Sequence, residues 1–374
     1  MFPDWPPVLD ILGQDISLGQ MAVERAIAEL RAGRPVLVTA ENENALMIGA
    51  EAFYGHVASA FAAIANGRGR LVLPAPRLSR LGAARTEAGS LALPELEAEE
   101  VETLALGIEA RIDRPVAKAD GVDLSALDLL GFALVLPAAV VVPCEQAAFP
   151  NVLRVSDTEI LAYRSHQVKS LRIVGRAPVP LEGAPETEFV VFRGGEGLRD
   201  QVAIIVGTPD FAAPIPVRLH SACLTGDLFG SLKCDCGDQL RDTVARMASS
   251  GGGILLYLDQ EGRGNGIANK MRAYRLQSEG YDTYEADAVL GFGLDQRRFD
   301  FAAEMLRQLG VQTVQLITNN PVKVAALQEA GLDVAAEQRI LGRPTRENVR
   351  YLASKRDRAG HYIDFDALAA RALD

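Results

Sequence analysis

The chain is poor in the residues that cross-link proteins. Only four cysteines, four histidines and one tryptophan occur in 374 residues. Four cysteines cannot form a disulfide scaffold at this length, which favours a reducing compartment. Long apolar runs are missing as well, since none reaches the roughly 18–20 residues that span a bilayer. The nearest candidate, LGFALVLPAAVVVPC (residues 130–144), is broken by Pro137 and reads as a pair of buried strands. The opening MFPDWPPVLDILGQD has neither a basic leader nor a continuous apolar stretch, so no secretory signal is expected and the chain reads as cytoplasmic. Positive charge is also short: 38 Lys and Arg against 49 Asp and Glu leave a net charge of −11. A nucleic-acid polymer needs clustered cations and is not an expected partner, whereas a small anion needs only a local basic pocket.

What is present is the composition of a soluble globular protein, 48% apolar and 23% charged, with length for two domains. GQMAVERAIAELRAG (19–33) has helical apolar spacing and ends on Gly33, and PVLVTA follows as a buried strand. Residues 76–100 show no assignable pattern, and FALVLP and AVVVP read as strands. Between 151 and 185 a helix-like piece passes into a Pro/Gly-rich stretch, and the domain boundary is placed at 160/161. The second half alternates. FVVFRGG, VAIIVG, PVRLH, ILLYLD and VQTVQLIT read as strands, and 238–250, 267–279, 298–309 and NNPVKVAALQEAG as helices. The pattern predicts a mixed α/β (α+β) fold in two domains, 1–160 and 161–374, each a mixed sheet layered with helices.

Three cysteines, Cys223, Cys234 and Cys236, fall in HSACLTGDLFGSLKCDCGDQL at the spacing Cys-x10-Cys-x-Cys. Thiolates at this density form either a redox set or a soft-metal site, and zinc suits them best. A closed structural zinc site needs a fourth ligand, and Cys144 lies in the apolar stretch of the other domain. Three ligands leave one position for water, the arrangement of catalytic zinc. On the cysteines alone, both uses remain open.

The cluster is followed in order by DQEGRG, NKMRAY, YDTYEA, the DQR of LDQRRF, and TNNPVK. With these motifs, the chain from about 160 onward resembles GTP cyclohydrolase II, the first enzyme of riboflavin synthesis. The resemblance implies zinc-dependent hydrolysis of GTP to 2,5-diamino-6-ribosylamino-4(3H)-pyrimidinone 5′-phosphate, formate and pyrophosphate, in a homodimer. It implies one Zn2+ per chain on Cys223, Cys234 and Cys236, with Mg2+ accompanying the pyrophosphate. Opening the guanine ring needs hydroxide at neutral pH, which a zinc-bound water of pKa about 7 supplies. Tyr274, Asp295 and Arg297 match the family's catalytic residues. Tyr274 is suited to polarise the attacking water, although an isolated helix-face tyrosine more often packs in a core. Arg297 matches an arginine proposed to attack phosphorus, with Asp295 as proton acceptor. A guanidinium with a pKa above about 12 is a poor nucleophile, so a phosphate clamp is the competing role. Asp295 alone also reads as a helix cap. The GTP contacts carried over are Arg218, Leu219, His220, Ser221, Ala222, Gln239, Glu261, Gly262, Arg263, Thr283, Thr318 and Lys323. Among them Arg218, Arg263, Lys323 and Thr318 suit the triphosphate, and Glu261 suits guanine N1–H and its amine.

The chain departs from the family pattern at three places. Ala222 stands in His-Ser-Ala-Cys where the family reads His-Ser-Glu-Cys, Asp259 replaces a basic residue, and Asn265 replaces isoleucine. These departures leave open an altered nucleotide or product, or a non-catalytic zinc protein that binds nucleotide. The His/Cys-x-Glu and Pro-Cys-x-x-Cys pattern of zinc nucleobase deaminases is absent. In the first half, AVERAIAELRAGRPVLVTA (22–40) resembles the opening of 3,4-dihydroxy-2-butanone 4-phosphate synthase. That family's acidic Mg2+-binding loop is reduced here to ENENALMIGAE (41–51), and its cysteine near GRGRLVLP (67–74) is missing. A synthase-like fold without synthase activity is expected. His56, His166 and His361 lie outside any constellation and are expected to be structural.

Overall fold

The computed structural model describes residues 15–145, 148–194, 199–340, 342, 345 and 348–363. The chain forms two compact units. The first holds residues up to His166 together with Met271–Ala273 and Glu285–Gly293, and the second holds Gln167–Lys270, Tyr274–Tyr284 and the chain from Leu294. Each is a seven-stranded sheet with helices, the mixed α/β class expected from the pattern.

In the first unit the strands are β1 (Val36–Thr39), β2 (Asn44–Gly49), β3 (Arg70–Leu73), β4 (Gly89–Ala92), β5 (Ala117–Lys118), β6 (Ala139–Pro143) and β7 (Arg154–Ser156). They run in the order β5-β4-β3-β6-β2-β1-β7, antiparallel except for the parallel β1–β7 pair. The helix Asp15–Arg31 buries Val23, Ala26, Ile27 and Leu30, one stripe at i, i+3, i+4 and i+7, against Val36, Val38 and Met47. FALVLP is not a strand. Phe132 and Ala133 end the helix Val122–Ala133, and Leu134 closes it in the left-handed conformation at φ 57°. A short apolar run does not reveal its period, and here the helix is buried on several sides, so no polar alternation marks it. Only AVVVP forms a strand, β6. Among the described residues no helix is long and apolar enough to cross a membrane. In the segment without assignable pattern lie the helices Ala75–Arg80 and Ala98–Leu106, with β4 between them.

Glu43 of the acidic stretch and Asp123 of the helix Val122–Ala133 share one cation. Arg70 donates to Glu43 Oε1 at 3.0 Å and to Asp123 Oδ1 at 2.7 Å, so a guanidinium bridges the two carboxylates.

The second unit contains β8 (Arg172–Pro178), β9 (Thr187–Arg193), β10 (Gln201–Gly207), β11 (Ile215–Ser221), β12 (Gly252–Leu258), β13 (Thr313–Ile317) and β14 (Asp333–Gln338), in the order β14-β13-β11-β12-β10-β9-β8. The run β14-β13-β11-β12 is parallel and the remainder antiparallel. Alternate residues of β11, Val217 and Leu219, enter the core with Ile254, Leu256 and Leu316. The helix Asp300–Gln308 covers them with Ala302, Ala303, Met305 and Leu306. A crevice outside the carboxyl ends of parallel strands is where α/β sheets bind ligands. Here β11 ends two residues before Cys223, β12 ends three residues before Glu261, and β13 ends immediately before Thr318.

Candidate functional site

The three cysteines converge after β11. Cys223 opens the short helical turn Leu224–Asp227, and Cys236 begins the helix Cys236–Ser249. Their sulfurs all lie within 4.8 Å of one another, and Cys223 Sγ is 3.6 Å from Cys234 Sγ. Tetrahedral zinc with bonds of about 2.3 Å separates its sulfur ligands by about 3.8 Å, so the cluster is already near coordinating geometry. Gly226 makes this closeness possible, since a Cβ there would lie 2.6 Å from Cys234 Sγ and 3.0 Å from Cys223 Sγ. Charge separates the three thiols. Hydrogen bonds from Cys234 and Cys236 hold Cys223 well below its ordinary pKa, whereas its bond to Cys223 pushes Cys234 up to about 11 and Cys236 is raised as well. Three adjacent thiolates therefore require a cation among them, and the donor set fits a soft divalent metal.

Two residues absent from the sequence reading surround this cluster. Lys270 Nζ donates to Cys223 Sγ at 3.2 Å, Thr225 Oγ1 at 3.1 Å and Glu261 Oε1 at 2.8 Å. Burial opposes its charge, but Cys223 and Glu261 hold the ammonium above its ordinary pKa. Asp227 accepts from Cys223 N–H at 2.9 Å, Tyr257 O–H at 3.0 Å and His220 Nε2 at 3.0 Å. Burial lowers the His220 pKa against the pull of Asp227, so the ring is neutral with its proton on Nε2. Nδ1 then presents a lone pair, and it has no protein partner. Both omissions had a faint signal, because Lys270 is one helical turn before Tyr274 and Asp227 one turn after Cys223.

Beside the cysteine cluster lies a cleft open to solvent. Arg218, His220, Ser221, Cys236, Gln239, Arg297, Thr318 and Lys323 all line it. Four polar atoms of the lining residues are buried without a protein partner: Arg218 Nε, His220 Nδ1, Ser221 Oγ and Asn320 Nδ2. Each unsatisfied group costs about 1–3 kcal/mol, which a polar ligand would relieve. The charge is cationic: Arg218, Arg297 and Lys323 stand against Asp235, the one carboxylate among the described lining residues. Arg218 is pushed down to about 10 by burial and stays charged at neutral pH. Arg297 is held bidentate by Asp295, at 2.9 Å from Nε and 2.6 Å from Nη2. Burial opposes the Asp295 charge, but Arg297 holds this carboxyl below its ordinary value.

The residues singled out from sequence differ in how they take part. The Leu219 side chain is in the core, and only its carbonyl takes part, accepting from Lys323 Nζ at 2.7 Å. The polar ends of Gln239 are taken by Arg218 and Asp235. Glu261 is engaged rather than open: Oε2 accepts Leu224 N–H at 2.6 Å, and Oε1 accepts Gly262 N–H at 2.9 Å beside Lys270. Ala222 N–H donates to Leu258 O at 2.8 Å, tying the cysteine loop to the end of β12. The ammonium groups of Lys233 and Lys270 lie 4.8 and 5.6 Å from the centre of the Tyr274 ring, and burial pushes its phenol up to about 12. Arg263 has φ 60° and packs its guanidinium 4.6 Å from the Tyr284 ring. A left-handed non-glycine residue costs about 1–3 kcal/mol, and such strain gathers at functional loops. Thr283 opens the helix Thr283–Val289, and the Thr318 hydroxyl accepts Asn320 N–H at 3.0 Å. His361, expected to be structural, lines the cleft, and nothing in its sequence neighbourhood signals that.

Residues 172–339 match the GTP cyclohydrolase II family model. A GTP cyclohydrolase-2 of Xylella fastidiosa (strain Temecula1 / ATCC 700964) is 45% identical over 362 residues, covering 94% of this chain and 90% of its own. Another, from Azospirillum brasilense, is 46% identical over 64% of each chain. The riboflavin biosynthesis protein RibBA of Phocaeicola vulgatus is 35% identical over 68% of this chain and 66% of its own. Among solved structures, a two-domain 3,4-dihydroxy-2-butanone 4-phosphate synthase from A. baumannii covers 85% of this chain and 99% of its own, at 16% identity and a TM-score of 0.32.

Proposed function

The chain belongs to the GTP cyclohydrolase II family, enzymes of riboflavin biosynthesis, and from that premise we propose that it hydrolyses GTP with one Zn2+ held by Cys223, Cys234 and Cys236. The products are 2,5-diamino-6-ribosylamino-4(3H)-pyrimidinone 5′-phosphate, formate and pyrophosphate. The observation that carries this reading is the adjacency of a three-thiol cluster and a cationic cleft whose buried polar atoms lack protein partners.

Zinc, when bound, supplies a water that ionises near neutral pH. The remaining chemistry belongs to the chain's own groups. Tyr274 stays a phenol at working pH and donates a hydrogen bond beside the metal cluster. His220 Nδ1, with Nε2 fixed on Asp227, accepts a hydrogen bond from the nucleotide. Arg218, Lys323 and Thr318 hold the phosphates, and Mg2+ accompanies the pyrophosphate. Arg297 serves as a clamp: its bidentate bond to Asp295 keeps the guanidinium protonated and oriented, which suits charge stabilisation better than attack on phosphorus. Glu261, already holding the metal loop, serves guanine only by exchanging one of these bonds.

The first unit acts as a scaffold without synthase activity, because Arg70 already engages Glu43 and Asp123 where a hard cation needs free carboxylates. The whole works as a cytoplasmic homodimer. Incubation of zinc-loaded protein with GTP and Mg2+ should release formate and pyrophosphate in equal amounts. Release of neither sinks the proposal. A second reading, retention of the formylated product or another nucleotide, rests on Ala222, Asp259 and the buried, unpartnered Asn265 Oδ1. Mass spectrometry of products across several nucleotides separates the two.

A further inference from the structure

One wall of the cleft comes from the far end of the described chain. Residues 360–363 follow the helix Val349–Ala359, and two contacts set their course. Tyr362 N–H donates to Asn319 O at 3.0 Å, and the Arg339 guanidinium lies 4.0 Å from the centre of the Tyr362 ring. Asn319 is itself anchored, its Oδ1 accepting Ile340 N–H at 3.1 Å. Tyr362 is turned outward, 52% exposed, whereas its neighbours His361 and Ile363 both line the cleft. Alternation along an open chain places them so. The imidazole therefore shares the cleft with Arg218, Arg297, Thr318 and Lys323.

This neighbourhood selects one kind of ligand. Arg218 Nε and Asn320 Nδ2 are donors without acceptors, and the nearby formal charges are mostly positive. The lining carboxylate, Asp235, already accepts from Gln239 Nε2. A cluster of donors around cations receives a ligand rich in acceptors and negative charge, which is the phosphate chain rather than the purine. We propose that His361 is a substrate-binding residue that donates a hydrogen bond to the nucleotide's phosphate chain, with Ile363 shielding that contact from water. The inference rests on the reading of the cleft as a nucleotide site, and it adds a residue remote from every motif that defines the family resemblance.

The test uses the full-length, zinc-loaded protein and the variants His361→Ala, His361→Gln and Tyr362→Ala. Inorganic pyrophosphate and guanosine serve as separate competitive inhibitors of GTP turnover. His361→Ala should raise the pyrophosphate Ki and the GTP KM about tenfold, the loss of one hydrogen bond to a charged group. The guanosine Ki should move less than twofold, with zinc content unchanged. His361→Gln, which keeps a donor, should recover part of the loss. Tyr362→Ala, which loosens the segment without touching His361, should show the same selectivity for pyrophosphate, so the idea stays testable if His361→Ala misfolds. An unchanged pyrophosphate Ki, or equal rises for pyrophosphate and guanosine, overturns the proposal. If the wild-type protein does not turn over GTP, the catalytic reading fails, and pyrophosphate binding measured by calorimetry still decides the role of His361.

Discussion

Replacing Gly226 by alanine should empty the metal site while leaving the rest of the protein folded. The added methyl would sit 2.6 Å from Cys234 Sγ, 3.0 Å from Cys223 Sγ and 3.2 Å from Cys236 Cβ. Non-bonded heavy atoms rest at about 3.5–4.0 Å, so the Cys234 sulfur or the loop must retreat by about 1 Å. Metal–ligand distances tolerate deviations of about 0.2 Å, several times less than that displacement. The expected loss is at least about 100-fold in zinc affinity, or about 2.7 kcal/mol, alongside about 1–3 kcal/mol of stability from overpacking. Gly230, four residues on in the same loop, is the control. It has φ 62°, and a Cβ there would meet nothing within 4 Å. Gly230→Ala therefore carries only a backbone cost of about 1–2 kcal/mol and should keep its metal. Zinc content after dialysis against graded chelator, with circular dichroism as a check on folding, reads both variants. Retention of zinc by Gly226→Ala at an affinity within threefold of wild type would refute the steric argument, as would an equal loss in Gly230→Ala.

Three further outcomes are expected. Tyr274→Phe should lower kcat by about 100-fold or more with zinc content unchanged, because it removes a positioned proton donor and little volume; stopped assays of formate release check it. Lys270→Met should weaken zinc retention about 10–100-fold in chelator competition, since it removes a hydrogen-bond partner of the ligand Cys223 together with the link to Glu261. The His220 pKa lies below 6.5 in the folded protein, through burial working against Asp227. The unfolded chain takes up that proton first, so the contribution to stability is whole above pH 6.5 and is lost as pH falls through the folded value. Thermal melts from pH 7 to 5 should decline more steeply for the wild type than for His220→Gln, and parallel declines would contradict the assignment.

Much of the second unit was legible before folding. The strands at 187–193, 201–207 and 252–258 are carried by β-branched and apolar runs, and Asn320 with Pro321 marks the start of Pro321–Glu329 through its side-chain cap on Val322 N–H. The first unit was harder, because Val122–Ala133 is buried on several sides and its end looks like a strand. Glu261 shows the same limit in the site. Its place in the EGR motif suggested a free carboxylate for guanine, and only the position of Leu224 and Lys270 shows that both oxygens already have donors.

The sequence alone determined the donor set and its chemistry. Three cysteines within fourteen residues supply three sulfur donors, and sulfur selects a soft metal where they meet. The tertiary structure decided what surrounds that metal. Arg218, Arg297 and Lys323 are brought to one cleft by the carboxyl ends of the parallel strands β11 and β13 and the segment before the helix Asp300–Gln308, and His361 reaches it through Asn319 and Arg339. Spacing along the chain carries no record of such meetings, because strand order is set by which apolar faces bury one another, and that is settled only when the sheet forms.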